Sequence, residues 1–161
     1  MNGFNRRHVL AGAAAAGTAL VAPARPRAQD PVVRIGVLAD FSGPYRSTSG
    51  PTSLAAAQQA VEDLGLAQRG IRVEVLQGDH QNRPDAALAL ARRWIDQDGV
   101  DMICEVNNSA IALAVANLVK EKDRIQLASG AASSALTGAQ CSTHTIHWTY
   151  DTWMFANVVG G

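Results

Sequence analysis

The chain has 161 residues, and its 14 Lys plus Arg balance 14 Asp plus Glu, so the formal net charge is zero and no global attraction to nucleic acid or an acidic membrane surface arises. Hydrophobic residues at 47% and charged residues at 17% exclude a disordered chain, and two cysteines exclude a disulfide-dense scaffold. With 29 alanines and only 5% aromatics, the core is expected to be built from small and aliphatic side chains.

Residues 1–24 read as an export signal of the twin-arginine type. Arg6 and Arg7 precede an uncharged run from Val9 to Ala22 dominated by Ala and Gly. As a helix this run spans about 21 Å, short of the ~30 Å hydrocarbon core, which fits a signal h-region rather than a transmembrane helix. Ala22-Pro23-Ala24 supplies an A-x-A cleavage site, and the basic Arg25 and Arg27 follow it. Cleavage after Ala24 leaves 137 residues with a net charge of −2. The implied destination is a bacterial periplasm, where disulfides persist. Cys104 and Cys141 are both candidates for pairing there, and Cys104 reads equally as a small buried hydrophobe. Residues 25–31 read as a linker.

The body alternates strands and helices. Val32, Val33, Ile35, Val37 and Leu38 form an apolar run suited to a strand buried on both faces. Asp40-Phe41-Ser42-Gly43-Pro44 is a loop, and Gly50-Pro51 opens a helix with its stripe at Leu54, Ala57, Val61 and Leu64. Gly65 and Gly70 end it. Ile71, Val73 and Val75 alternate with Arg72 and Glu74 as a second strand. After the loop Gly78–Asn82, Pro84-Asp85 starts a helix with its stripe at Leu88, Ala91 and Ile95, closed by Gly99. Val100–Val106 is a third strand, and Asn107-Asn108-Ser109 caps an amphipathic helix through Ile111, Ala114, Val115, Leu118 and Val119. Ile125–Ser129 is a fourth strand, Gly130–Gly138 a small-residue loop, Thr145–Tyr150 a fifth strand, and Asp151-Thr152 caps a last helix. This order predicts an α/β fold, a doubly wound parallel sheet in the order 2-1-3-4-5. Its ligands are expected beyond the carboxyl ends of the strands, at the switch point between the first and third.

The loops there are poor in charge and rich in Ser, Asn and Gly, and they run into helix N-termini that attract anions. Ser42, Ser47, Thr48, Ser49, Ser109, Ser133 and Ser134 offer hydroxyls, and Tyr45 offers an aromatic wall. Such loops suit a small carboxylate held by neutral hydrogen bonds, although each Ser or Asn taken singly also reads as a helix cap. Catalysis finds little support. There is no G-x-G-x-x-G after the first strand, no P-loop lysine and no G-x-S-x-G elbow. A Ser42–His80–Asp79 trio has no supporting spacing, and His80 reads as loop hydrogen bonding. Asp40 and Glu105 are a remote candidate carboxylate pair. His144 and His147 fall on opposite faces of a strand, which disfavours joint metal ligation. The chain is read as a non-enzyme without metal or cofactor.

Ile35–Tyr45, Asp79–Asp85, Ala91-Arg92-Arg93-Trp94, Ser129–Ser133 with Leu136-Thr137-Gly138, and His147–Thr152 occur in this order. They resemble periplasmic substrate-binding proteins of the leucine/isoleucine/valine-binding family, over about residues 32–161. The resemblance implies a two-lobed hinged clamp that delivers a small solute, an amino acid or other small carboxylate, to an ABC permease complex in the inner membrane. Carried over by position, it puts Asn108, Ser109, the backbone of Ala131 and the hydroxyl of Ser133 near the ligand, with Tyr45 and Tyr150 as flanking aromatics and Ser42 in the first loop. Asn107-Asn108-Ser109 stands where branched-chain amino-acid binders carry a serine run, which leaves aromatic acids and amides equally open. Family chains are more than twice as long, so residues 32–161 are expected to be an incomplete first lobe with an exposed apolar sheet face. Rival readings are a periplasmic sensing lobe, a small exported α/β enzyme using Asp40, Ser42 or His80, and an inert truncation product.

Overall fold

The computed structural model describes residues 31–160, so the expected signal at 1–24 and nearly all of the linker lie outside the described residues. Five strands form one sheet: β1 (Val32–Ala39), β2 (Arg72–Asp79), β3 (Met102–Glu105), β4 (Ile125–Ala128) and β5 (Thr145–His147). Their order is β2-β1-β3-β4-β5, and every neighbouring pair is parallel. Helices α1 (Pro51–Leu64), α2 (Pro84–Arg93), α3 (Ser109–Glu121) and α4 (Thr152–Val159) intervene or follow. The doubly wound α/β order expected from the sequence is therefore the observed one.

The later strands are shorter than expected. β3 stops at Glu105 because Glu105 and Val106 take left-handed backbone angles, φ +77° and +56°. β5 stops at His147, and the Trp148 N–H gives one more rung to the Ala128 carbonyl before the chain turns away. The second helix also differs. After Arg93 it widens into a single π-type turn over Trp94–Asp98, ended by Gly99 in the left-handed region at φ +67°. The widened turn presents Trp94 and Ile95 to the core together. Leu88, expected on the buried stripe, is half-buried, and Ala87 is fully buried instead.

The two sheet faces are unequal. Leu38, Ile103, Val106 and Ala128 pack under α2 and α3, burying Ala91, Trp94, Ile111, Val115 and Val119. Trp94 is the largest fully buried side chain, and its indole lies against the bare backbone of two strands. A Cβ on Gly36 would sit 2.5 Å from the indole, and one on Gly78 2.5 Å from both the indole and Leu90. Glycine at these positions is thus the space the indole fills. On the other face α1 buries no residue completely. Val33, Ile35, Met102, Cys104 and Leu127 share an apolar groove there with Ala57, Val61 and Leu64. Val33 is 37% exposed and Leu64 63%, so β1 is buried on both faces only from Gly36 to Ala39. Burial, followed by the negative charge of Glu105, pushes the Cys104 thiol up to about 12, so it stays protonated and unreactive at neutral pH. Both Cys104 and Cys141 are free thiols.

Candidate ligand-binding site

The loops beyond β1 and β2 are built around two carboxylates. Asp40, fully buried, accepts the backbone N–H of Gly43 at 2.7 Å and of Tyr45 at 2.9 Å, folding the loop so that the Tyr45 ring stands half-exposed at its tip. Gly50 closes the loop at φ +58°, where a Cβ would lie 2.5 Å from the Asp40 carbonyl oxygen. Only glycine combines that backbone with that approach. Asp79 accepts the Ser42 hydroxyl at 2.6 Å and the N–H groups of Phe41 and Gln81 at 3.1 and 2.8 Å. Burial pulls its pKa up, but the hydrogen bonds from Ser42, Gln81 and Phe41 outweigh this and hold it below the ordinary carboxylate value. A depressed folded-state pKa contributes stability that is present above the unfolded value and lost as pH falls through the folded one. Asp79→Asn is therefore expected to flatten the acid limb of the stability–pH curve below the ordinary carboxylate range, measured by urea unfolding at stepped pH. An unchanged acid limb would contradict this.

A second network ties the β2 loop to the β3 loop. The His80 Nδ1 accepts the Asn82 N–H at 2.9 Å, which leaves Nε2–H to donate to Asn107 Oδ1 at 2.9 Å. Asn108 caps α3, its Oδ1 accepting from Ala110 and Ile111 N–H, while its Nδ2 donates to Asn82 Oδ1 at 2.7 Å. Ser42 and His80 face different partners, so the Ser42–His80–Asp79 trio is not assembled. His144 lies 3.1 Å from Asp123, and His147 Nε2–H donates to the Ala131 carbonyl at 2.6 Å, so the two histidines point to separate partners.

The β3 end carries the least expected feature. Strict alternation would send Glu105 to the same side as Ile103, into the α2–α3 core. Left-handed angles at Glu105 and Val106 break the alternation, at a cost of about 1–3 kcal/mol per residue. Val106 then enters the core, and Glu105 shares the opposite side with Cys104, Ser53 and Ala56. Glu105 is 8% exposed and accepts the Ser49 hydroxyl at 3.1 Å and the Ser129 hydroxyl at 2.8 Å, one on each carboxylate oxygen. Asp40, by contrast, takes only loop N–H donors, so the two acids serve different partners. Gly130 lets the β4 loop close on this carboxylate, since a Cβ there would be 2.7 Å from Glu105 Oε1.

These loops enclose an open crevice of about 560 Å³ beyond the ends of β1, β3 and β4. Tyr45, Thr48 and Ser53 line it from the β1–α1 side, Glu105 and Asn107 from β3, Ser129 and Gly130 from β4, and Tyr150 from beyond β5. Tyr150 packs edge-on against Phe155 of α4, with ring centroids 4.7 Å apart. Of the residues proposed from sequence, Tyr45, Thr48 and Tyr150 meet at this crevice. Ser42 and Asn108 lie in the adjoining loops with their side chains engaged as above. Ser109 opens α3, and Ala131 is buried with its carbonyl on His147. Ser133 accepts the Ala135 N–H at 3.3 Å and caps the short turn Ser134–Leu136. Sequence reasoning named Glu105 only as a remote carboxylate partner of Asp40, and it left both Glu105 and Ser129 out of the ligand set. A charged residue inside an otherwise apolar strand was the available signal for the first.

Comparison with known proteins identifies the fold's lineage. A family model described as periplasmic binding protein matches residues 32–161. The chain belongs to the periplasmic binding protein family. A periplasmic binding protein from Burkholderia mallei is 37% identical with a TM-score of 0.75, over 81% of this chain and 35% of that one. A branched-chain amino acid ABC transporter periplasmic ligand-binding protein from Burkholderia xenovorans is 39% identical with a TM-score of 0.74, over 79% of this chain and 34% of that one. A solute-binding protein of an ABC transporter from Rhodopseudomonas palustris, in complex with 3,4-dihydroxybenzoic acid, shares the fold at 22% identity and a TM-score of 0.66, over 74% of this chain and 32% of that one. The chain thus spans about a third of the length of the solved structures it matches. No curated protein matched.

Proposed function

We propose that this chain supplies the first-lobe wall of an exported solute-binding component of an ABC importer, and that its crevice takes a small carboxylate, an amino acid or an aromatic acid. The observation that carries the reading is the crevice itself. It sits at the switch point between β1 and β3, where doubly wound sheets bind ligands, and two half-exposed tyrosines flank it. Family membership supports transport binding over catalysis, and the separate engagement of Ser42 and His80 agrees with that. Ser109, the Ala131 backbone and Ser133 belong to the proposed contact set with Ser42, Tyr45, Asn108 and Tyr150. Export through the twin-arginine signal at 1–24, a periplasmic location and delivery to an inner-membrane permease complete the proposal.

The test is residue-resolved. Amide chemical-shift titration of the 161-residue chain with L-leucine and 4-hydroxybenzoate is expected to move the Tyr45, Ser129, Gly130 and Tyr150 signals with one saturable curve. Tyr45→Ala or Tyr150→Ala is expected to weaken that curve about tenfold, because each removes a ring's worth of apolar contact. Shifts confined to α1 and the β2 edge would refute the assignment.

A further inference from the structure

We propose that Glu105, held from behind by the buried Ser49 hydroxyl and flanked by that of Ser129, forms a donor-selective subsite at the floor of the crevice, so that the solute must bring an N–H or O–H group to it. The inference rests on the solute-binding reading of the crevice. It goes further in naming a chemistry that the carboxylate-holding loops do not supply.

Three observations meet here. The first is position: Glu105 lines the crevice between the tyrosine-bearing loop and the β4 loop while remaining 92% out of solvent by its 8% exposure. A charged side chain so placed is costly unless its oxygens are satisfied. The second is polarity. Each hydroxyl spends its one proton on a different carboxylate oxygen. What Ser129, beside Glu105 on the crevice wall, has left is lone pairs, and each carboxylate oxygen also has acceptor capacity to spare. The two therefore present acceptors. The third is the backbone. Glu105 and Val106 leave the strand conformation at the one point that turns the carboxylate out of the hydrophobic core and toward the crevice. An ordinary alternating strand would have left the acid facing Ile103's side.

A ligand carboxylate pressed against Glu105 and Ser129 would meet only acceptors and be repelled. An ammonium, an amide N–H or a phenolic hydroxyl would instead complete the cluster through a charge-assisted hydrogen bond. The selected solutes are thus bifunctional, with the carboxylate turned away from Glu105 and a donor turned toward it.

The test compares matched probes on the 161-residue chain by amide chemical-shift titration at millimolar probe concentrations. The pairs are 4-hydroxybenzoate against benzoate and L-leucine against 4-methyl-2-oxopentanoate. In each pair the second member lacks the donor at otherwise similar shape. The donor-bearing member is expected to bind about tenfold tighter or better. Glu105→Gln, checked for native fold by its amide spectrum, is expected to cut that ratio several-fold, because it removes the charge that strengthens the donor-bearing member's hydrogen bond and repels the donor-free member. A purely structural role for Glu105 would weaken both members alike and leave the ratio standing, which would overturn the proposal. Equal or tighter binding of the donor-free members to the unaltered chain would also overturn it, even if Glu105→Gln does not fold. If none of the four probes moves any amide, the solute-binding reading itself fails, and the subsite with it.

Discussion

Trp94→Ala is expected to cost about 3–5 kcal/mol of unfolding free energy, since it truncates the largest of the fully buried side chains among the described residues. The indole is 2% exposed and fills the space between α2 and the sheet. Two of the strand positions beneath it are glycines, so no neighbouring side chain on those strands can swing in to fill the void. The cavity therefore stays open, and the cavity term adds in full to the lost transfer energy. The same geometry predicts non-additivity. Gly36→Ala alone places a Cβ 2.5 Å from the indole and is expected to cost about 1–3 kcal/mol by overpacking. In the Trp94→Ala background that clash is gone, so the second substitution is expected to cost little or to restore stability. Urea unfolding of the four chains of the cycle measures the coupling. Additive losses would show that the sheet shifts away from the indole and that Gly36 is incidental.

That tryptophan also marks where sequence reading succeeded and where it stopped. The alternation of apolar runs with Gly- and Pro-bounded helical stripes was sufficient to place all five strands in a doubly wound sheet, and the order 2-1-3-4-5, one of the common orders of that class, is the observed one. The stripe through Leu88, Ala91 and Ile95 was read with a strict 3.6 period. The wide turn at Trp94–Asp98 breaks that period, and its cause is tertiary: the indole requires the bare strands at Gly36 and Gly78, which lie far away in sequence. The site divides in the same way. Tyr45 was legible as an aromatic in the first loop, Tyr150 was expected at the end of the fifth strand and placed near the ligand by the family resemblance, and both line the crevice. Asn108 was legible as a helix cap, and it does cap α3. Glu105 was hidden because a strand residue's facing is inferred by counting twos. Two left-handed residues at the strand's end changed the count. Nothing in Glu105-Val106 announces such a conformation, since neither residue type favours it.

Millimolar rather than micromolar affinity is the second large effect expected of this chain. The crevice has a floor and flanks but is open above, and the rings of Tyr45 and Tyr150 each remain 45% exposed. Small-molecule sites that bind well bury about 70–90% of the ligand surface. Taken as covering one side of a benzoate or leucine, this crevice would leave about half of the solute's surface in water. If the contact free energy scales with the part enclosed, a site worth about −8 kcal/mol when closed is worth about −4 kcal/mol when open, which converts a micromolar constant into a millimolar one. The ordering cost falls in the same direction, because the one-sided ligand still loses its translational freedom. Calorimetry on the 161-residue chain with L-leucine and with 4-hydroxybenzoate is therefore expected to show no measurable heat at micromolar concentrations, while amide shifts still titrate in the millimolar range. A micromolar constant for either would mean that these residues alone enclose the solute. Loop movement over Tyr45 and Tyr150 would then have to supply the missing wall.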